Sequence, residues 1–231
     1  MTEKREPLSQ IVIGEQGVGK TSALKTIDVA KYKTLYVNAD CRESVLPAAW
    51  LKAVDMVKIP LDPANAGDMI ARHQSLVRSL TMTPDKYDII IYDSTTPLMG
   101  NLWYYAGDLM GEESPKRKEG KSKDAPSRDW NALDEFDEAY DGNEKKYGYV
   151  SGVAQEIIFG LRNQAKVLFV LIAHEKEPYF QADGNMKKYS ADVRGSLKSA
   201  LPKQFKEVYY CYEQNGAWVW LTQPMTISTG Q

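Results

Sequence analysis

Gly14, Gly17, Gly19, Lys20 and Thr21 lie in the segment IVIGEQGVGKTS, Ile11 to Ser22, and have the types and spacing of a phosphate cradle, G-x-x-x-x-G-K-T. Glycines let a loop curl tightly and turn the N–H groups of residues 14 to 19 (Gly14, Glu15, Gln16, Gly17, Val18, Gly19) toward an anion. Lys20 adds a positive charge suited to the β- and γ-phosphates of a nucleotide. The hydroxyl of Thr21 suits a hard cation such as Mg²⁺, and Ser22 closes the nucleotide-binding segment. A second candidate lies downstream in YDIIIYDSTT, Tyr87 to Thr96, where an apolar run ends at Asp93. A carboxylate there can hold the same cation, directly or through water. Asp88 precedes the run and is less suited to that task. Ser94, Thr95 and Thr96 can orient water or a phosphate oxygen, or cap a following helix.

Two further polar clusters end apolar runs. Asn38, Asp40, Arg42 and Glu43 follow the strand expected at Thr34 to Asn38, and His174 and Glu175 follow KVLFVLIA, Lys166 to Ala173. Parallel strands deliver their carboxyl ends to a common crevice, so these groups are expected to converge on the phosphates. His174 can contact a γ-phosphate or relay its presence to the segment beyond; a cap or core role is the plainer reading. His73 sits in an amphipathic stretch and is expected at the surface or satisfied in the core.

Ile11 to Ile13 and Ile89 to Ile91 read as buried parallel strands. A helix is expected from about Thr21 to Ile27, others over Leu46 to Val54, Asn65 to Leu80 and Tyr149 to Asn163. Strands at Glu207 to Tyr212 and Ala217 to Thr222 flank Asn215-Gly216, a hairpin signal. The pattern is α/β: a mostly parallel central sheet flanked by helices, with a C-terminal antiparallel hairpin. From about residue 98 to 147 the pattern changes, and an insertion or loop region is expected within a single domain spanning 1–231. It carries Lys116, Arg117, Lys118, Lys121, Lys123 and Arg128, diluted by Glu112, Glu113 and Glu119 and followed by Trp130, Phe136 and Tyr140. Basic charge beside aromatics can follow a single-stranded nucleic acid while stacking its bases. A solvated excursion without a ligand fits the composition equally. Glu177 to Ser190, with Lys187 and Lys188, is polar and expected to be mobile.

Composition narrows the class. With 231 residues, 43% of them hydrophobic, the chain can bury a proper core, and its formal net charge of −2 argues against a general DNA coat. Cys41 and Cys211 are the only cysteines, expected reduced and too few for a thiolate zinc site. No apolar run is long enough to span a bilayer and the leader MTEKREPLSQ lacks a signal-peptide core, so the protein is expected inside a cell.

The loop, the IIIYDS strand and the LIAHEKE strand end together resemble the RecA-like P-loop ATPases of bacteriophages, the group that includes single-strand annealing ATPases. The resemblance runs from about Pro7 to Thr222. It implies an ATPase that turns ATP into ADP and phosphate with Mg²⁺, stimulated by single-stranded DNA. It further implies a ring or filament of copies, work beside a phage single-strand binding protein, and service in recombination, annealing or replication in the host bacterium's cytoplasm. On this resemblance Lys20 and Thr21 are the phosphate lysine and the cation hydroxyl, and Asp93 the second cation residue. Asp40 takes the place of the water-activating carboxylate, where RecA has glutamate, with Glu43 as the alternative. His174 falls at the γ-phosphate sensor. Segments 111–128 and 178–190 fall at DNA-binding loops, and Arg194, Lys187 and Lys188 are candidates to reach a neighbouring copy's nucleotide. Rival classes are a nucleotide or small-molecule kinase, with 111–128 as its lid, and an assembly or packaging factor acting through protein contacts. A GTPase is disfavoured because the Asn-Lys-x-Asp signature is absent.

Overall fold

The computed structural model describes residues 7–41, 45–109, 144–180, 187–193, 197–214 and 216–221. Within them an eight-stranded sheet is built from β1 (Leu8–Gly14), β2 (Thr34–Asn38), β3 (Asp55–Lys58), β4 (Tyr87–Asp93), β5 (Ala165–Phe180), β6 (Lys187–Ala191), β7 (Glu207–Gln214) and β8 (Ala217–Leu221). The strand order is β3-β2-β4-β5-β1-β7-β8, with β6 paired to β5. All pairings from β3 across to β7 are parallel, while β8 and β6 run antiparallel to β7 and β5. This is the mostly parallel α/β architecture expected, with the C-terminal hairpin extending one edge.

The three central strands are covered on both faces, which is why their sequences are nearly continuous aliphatic runs. One face packs Ile13, Ile90 and Leu171 under helices α3 (Ala66–Met82), α4 (Thr95–Leu109) and α5 (Glu144–Gln164), through Ile70, Leu102, Ile157 and their neighbours. The other packs Val12, Ile91 and Ile172 against Leu24, Leu46 and Trp50, the last from the short helix α2 (Ala48–Ala53). Helix α6 (Leu197–Lys203) adds Leu197 and Leu201 to the first face.

Several expectations need correction. The first helix, α1 (Lys20–Ala23), is one turn continued by a 3-10 turn, Leu24–Thr26, and does not reach Ile27. Asp28 stops it, because its Oδ1 accepts from the N–H groups of Ala30 and Lys31 and begins a turn there. The stretch expected as an insertion from residue 98 instead begins inside α4, where Leu98, Leu102 and Ala106 recur every four residues and are wholly buried. Its other end is also helical, since α5 starts at Glu144. Residues 110–143, with all six candidate DNA-contacting cations there, lie outside the described residues. Of the segment Glu177 to Ser190, expected to be mobile, the two ends are strand, since β5 continues to Phe180 and pairs with β6 in the register Glu175 to Ala191 and Phe180 to Lys187, and residues 181–186 lie outside the described residues. A paired two-stranded extension needs no buried face, so its polar sequence gave no strand pattern.

A candidate nucleotide site at the carboxyl ends of the strands

The register of the sheet decides what meets what. Asn38 of β2 is level with Asp93 of β4, which is level with Ile172 of β5; one pairing further along the sheet, His174 of β5 is level with Gly14 of β1. Because β5 lies between β1 and β4, His174 sits between the glycine loop and the acidic strand end. All four ends open on the same edge.

The loop is formed as its glycines require. Gly19 precedes α1 at φ 84°, a left-handed conformation that an L side chain resists. The ammonium of Lys20 is buried and donates to the carbonyls of Gly14 and Glu15, both at 2.6 Å, so its charge is fixed inside the curl. From beneath, the Cys211 thiol donates to the Val18 carbonyl at 2.9 Å and ties the loop to β7. With a single α-helical turn behind it, the loop offers an anion its own N–H groups and Lys20 more than a helix dipole.

Thr21 and Asp93, 72 residues apart, touch: the Thr21 hydroxyl donates to Asp93 Oδ2 at 2.8 Å. The phenol of Tyr36 donates to the same oxygen at 3.1 Å. Asp93 Oδ1 is buried and has no hydrogen-bond partner. Burial pushes the carboxyl up to about 6, against the hydrogen bond from Thr21, which favours the ionised form. A buried, unpaired anionic oxygen beside a hydroxyl is a hard-oxygen donor set, and it fits Mg²⁺. No group of three or more His, Cys, Asp or Glu able to hold a metal occurs among the described residues.

Asp40 is held from two sides. The Ser94 hydroxyl donates to Oδ1 at 2.9 Å, and His174 Nε2 lies 2.9 Å from Oδ2. The backbone N–H groups of Ala39 and Asp40 both donate to the Asp93 carbonyl, which clamps the end of β2 to that of β4. Lys20, Thr21, Asp40, Asp93 and His174 are therefore brought together. Asp88 is not among them: it receives the Lys33 N–H at the opposite end of β4. Glu43 and Arg194 lie outside the described residues, and of Lys187 and Lys188 only the β6 backbone is described. Three contributors escaped the sequence reading: Tyr36, the pairing of Ser94 with Asp40, and Cys211. A tyrosine inside LYVN reads as core, and no local spacing marks its hydroxyl.

A family model described as an AAA domain matches residues 6–229. No curated protein matches in sequence. Among solved structures, the chain is similar to a prototypical ATPase from the type III secretion system of pathogenic bacteria, at 9% identity and a TM-score of 0.51. That alignment covers 89% of this chain and 52% of the other, so the chain spans about half that ATPase's length. It is also similar to the RadB recombinase, at 13% identity and a TM-score of 0.47, over 93% of this chain and 86% of the other. At such identities the secretion ATPase speaks for the fold alone; the family match agrees with it in an α/β P-loop ATPase core of the RecA-like and AAA kind. Among the described residues no helix is long and apolar enough to cross a membrane.

Proposed function

The chain belongs to the AAA domain family, and from that premise we propose that it is a Mg²⁺-dependent ATPase acting on single-stranded DNA. The observation that carries the nucleotide chemistry is the 2.8 Å contact of Thr21 with Asp93 at the mouth of the glycine loop, which joins the loop to the acidic strand end. Thr21 and Asp93 hold the cation, which when bound draws charge from the phosphate oxygens. The loop N–H groups and Lys20 bind the triphosphate and stabilise charge on the transferring phosphoryl. Asp40, aligned by Ser94 and His174, orients a water for in-line attack on the γ-phosphorus and accepts its proton as the bond to the β-phosphate oxygen breaks. His174 acts on Asp40 here, where the resemblance had it sensing the γ-phosphate. Through β5 it is continuous with the extension that pairs with β6, which offers a route from a bound strand to the water-activating group.

The DNA reading and its biological setting, a phage recombination, annealing or replication process in a bacterial host, rest on the resemblance and on the cations between Lys116 and Arg128 and at Lys187 and Lys188. A ring or filament in which Arg194, Lys187 or Lys188 reaches the next copy's nucleotide belongs to the same reading. The test is ATP turnover with and without single-stranded DNA across a salt series. Single-stranded DNA should stimulate turnover, and Lys20→Ala should abolish it. DNA affinity should fall steeply with salt as phosphate counterions are released. Parental turnover by Lys20→Ala would remove the site assignment; a flat salt response would remove the cationic segments as the contact.

A further inference from the structure

Tyr36 stands in the middle of β2, wholly buried between the fully buried aliphatics Leu35 and Val37. Its ring meets Trp50 edge-on, centroids 5.7 Å apart and planes at 81°, a contact that a phenylalanine would make as well. A phenol buried there must find an acceptor or pay for its desolvation. The acceptor is Asp93 Oδ2, which also receives Thr21. Two donors fixed by separate elements, β2 and α1, thus converge on one oxygen of a single carboxylate. They hold the group against rotation, and they leave Oδ1 without a partner.

We propose that Tyr36 is a positioning residue for the cation site: its hydroxyl, together with that of Thr21, fixes the orientation of the Asp93 carboxylate beside the divalent cation accompanying the nucleotide. Hydrogen bonds behind a ligating group commonly govern metal affinity by tenfold or more. This inference rests on the reading that Thr21 and Asp93 hold that cation.

The measurement is the gain in affinity for a fluorescent, non-hydrolysable ATP analogue when Mg²⁺ replaces EDTA, taken on the full chain and on Tyr36→Phe. The variant keeps the ring against Trp50 and loses only the hydroxyl. The Mg²⁺-dependent gain should shrink about tenfold in Tyr36→Phe while affinity in EDTA stays at the parent value. A merely structural role for Tyr36 would lower both affinities together, and that result overturns the proposal. So does a full Mg²⁺ gain in the variant, which leaves the parent site assignment standing. Absence of any gain in the parent chain overturns the cation site itself, and the role of Tyr36 with it. Should Tyr36→Phe fail to fold, a crystal structure of the unaltered chain with Mn²⁺ and the analogue decides. An anomalous peak beside Asp93 with Tyr36 still bonded to its carboxylate supports the assignment; a peak there with Tyr36 displaced from Asp93, or no peak near Asp93, removes it.

Discussion

His73 and Asp93 are buried ionisable groups on neighbouring elements whose titrations pull stability in opposite directions. The His73 ring bonds the Met69 carbonyl through Nδ1 at 2.8 Å and the Tyr92 hydroxyl through Nε2 at 2.7 Å. A carbonyl only accepts, so Nδ1 carries the proton and Nε2 accepts from Tyr92; the ring is neutral with both nitrogens used. Burial lowers its pKa from 6.5 to about 4. The unfolded chain therefore takes up the proton first. Stability from this group is full above pH 6.5 and is lost as pH falls through 4, about 3 kcal/mol in all. Asp93, raised from 3.8 to about 6, does the reverse in the absence of a divalent cation. Its contribution is full below pH 3.8 and is lost as pH rises through 6, again about 3 kcal/mol. Between pH 4 and 6 the two slopes nearly cancel. Urea unfolding in EDTA should therefore show a falling midpoint on acidification in Asp93→Asn, where His73 titrates unopposed. His73→Gln should show a shallower fall than the parent, or a rise. Parallel pH curves for the parent and both variants would refute these assignments.

At the scale of elements, the loop works because β1 and β7 approach each other closely beneath it. A Cβ built on Gly14 would collide with the Cys211 backbone carbonyl and also crowd the Val18 side chain. Backbone cannot step aside as a flexible side chain can, so β1 must shift away from β7 and take the loop with it. Gly14→Ala should cost about 1–3 kcal/mol of stability, the usual range for overpacking. It should also weaken nucleotide binding out of proportion to that loss; wild-type affinity in a destabilised Gly14→Ala would show the loop to be independent of β7. This dependence is invisible in the motif, which marks Gly14 only as a loop residue. The runs Ile11 to Ile13 and Ile89 to Ile91 declared their strands because both faces of a central strand must be apolar. β3, four residues with none buried, carries no such demand and went unread. For α4, the four-residue spacing of Leu98, Leu102 and Ala106 was present in the sequence. It was masked by the aromatics around it and by the polar stretch that follows. Lys20 and Thr21 could be named from the glycine motif, and Asp40, Asp93 and His174 because each ends or closely follows an apolar run, and parallel strands bring such positions to one edge. Tyr36 follows no run. Its hydroxyl acquires meaning only when β2 is laid beside β4 in the observed register.

Taken as a whole, the candidate site belongs to no single segment. The glycine loop follows β1, Asp40 follows β2, Asp93 ends β4, His174 sits on β5 and Cys211 holds the loop from β7. The strand order places β5 between the loop strand and the acidic strand, so parts of the site far apart in the chain meet only in the folded sheet. A ligand at this edge would bind the folded chain and not the unfolded one, and its binding energy would add to global stability. At a nucleotide concentration one hundred times the dissociation constant the gain is about 2.7 kcal/mol. For a chain of this size that raises the melting temperature by roughly 5–10 °C. MgATP or a non-hydrolysable analogue should produce that shift in the parent chain. At the same concentration Lys20→Ala should produce almost none, because the charge held by the Gly14 and Glu15 carbonyls is gone. Asp93→Asn should keep a partial shift that no longer depends on Mg²⁺, since the loop N–H groups and Lys20 remain while the cation's carboxylate does not. A full Mg²⁺-dependent shift in Asp93→Asn would mean that the cation is held elsewhere, and that the meeting of β1 and β4 ends at this edge is a matter of folding alone.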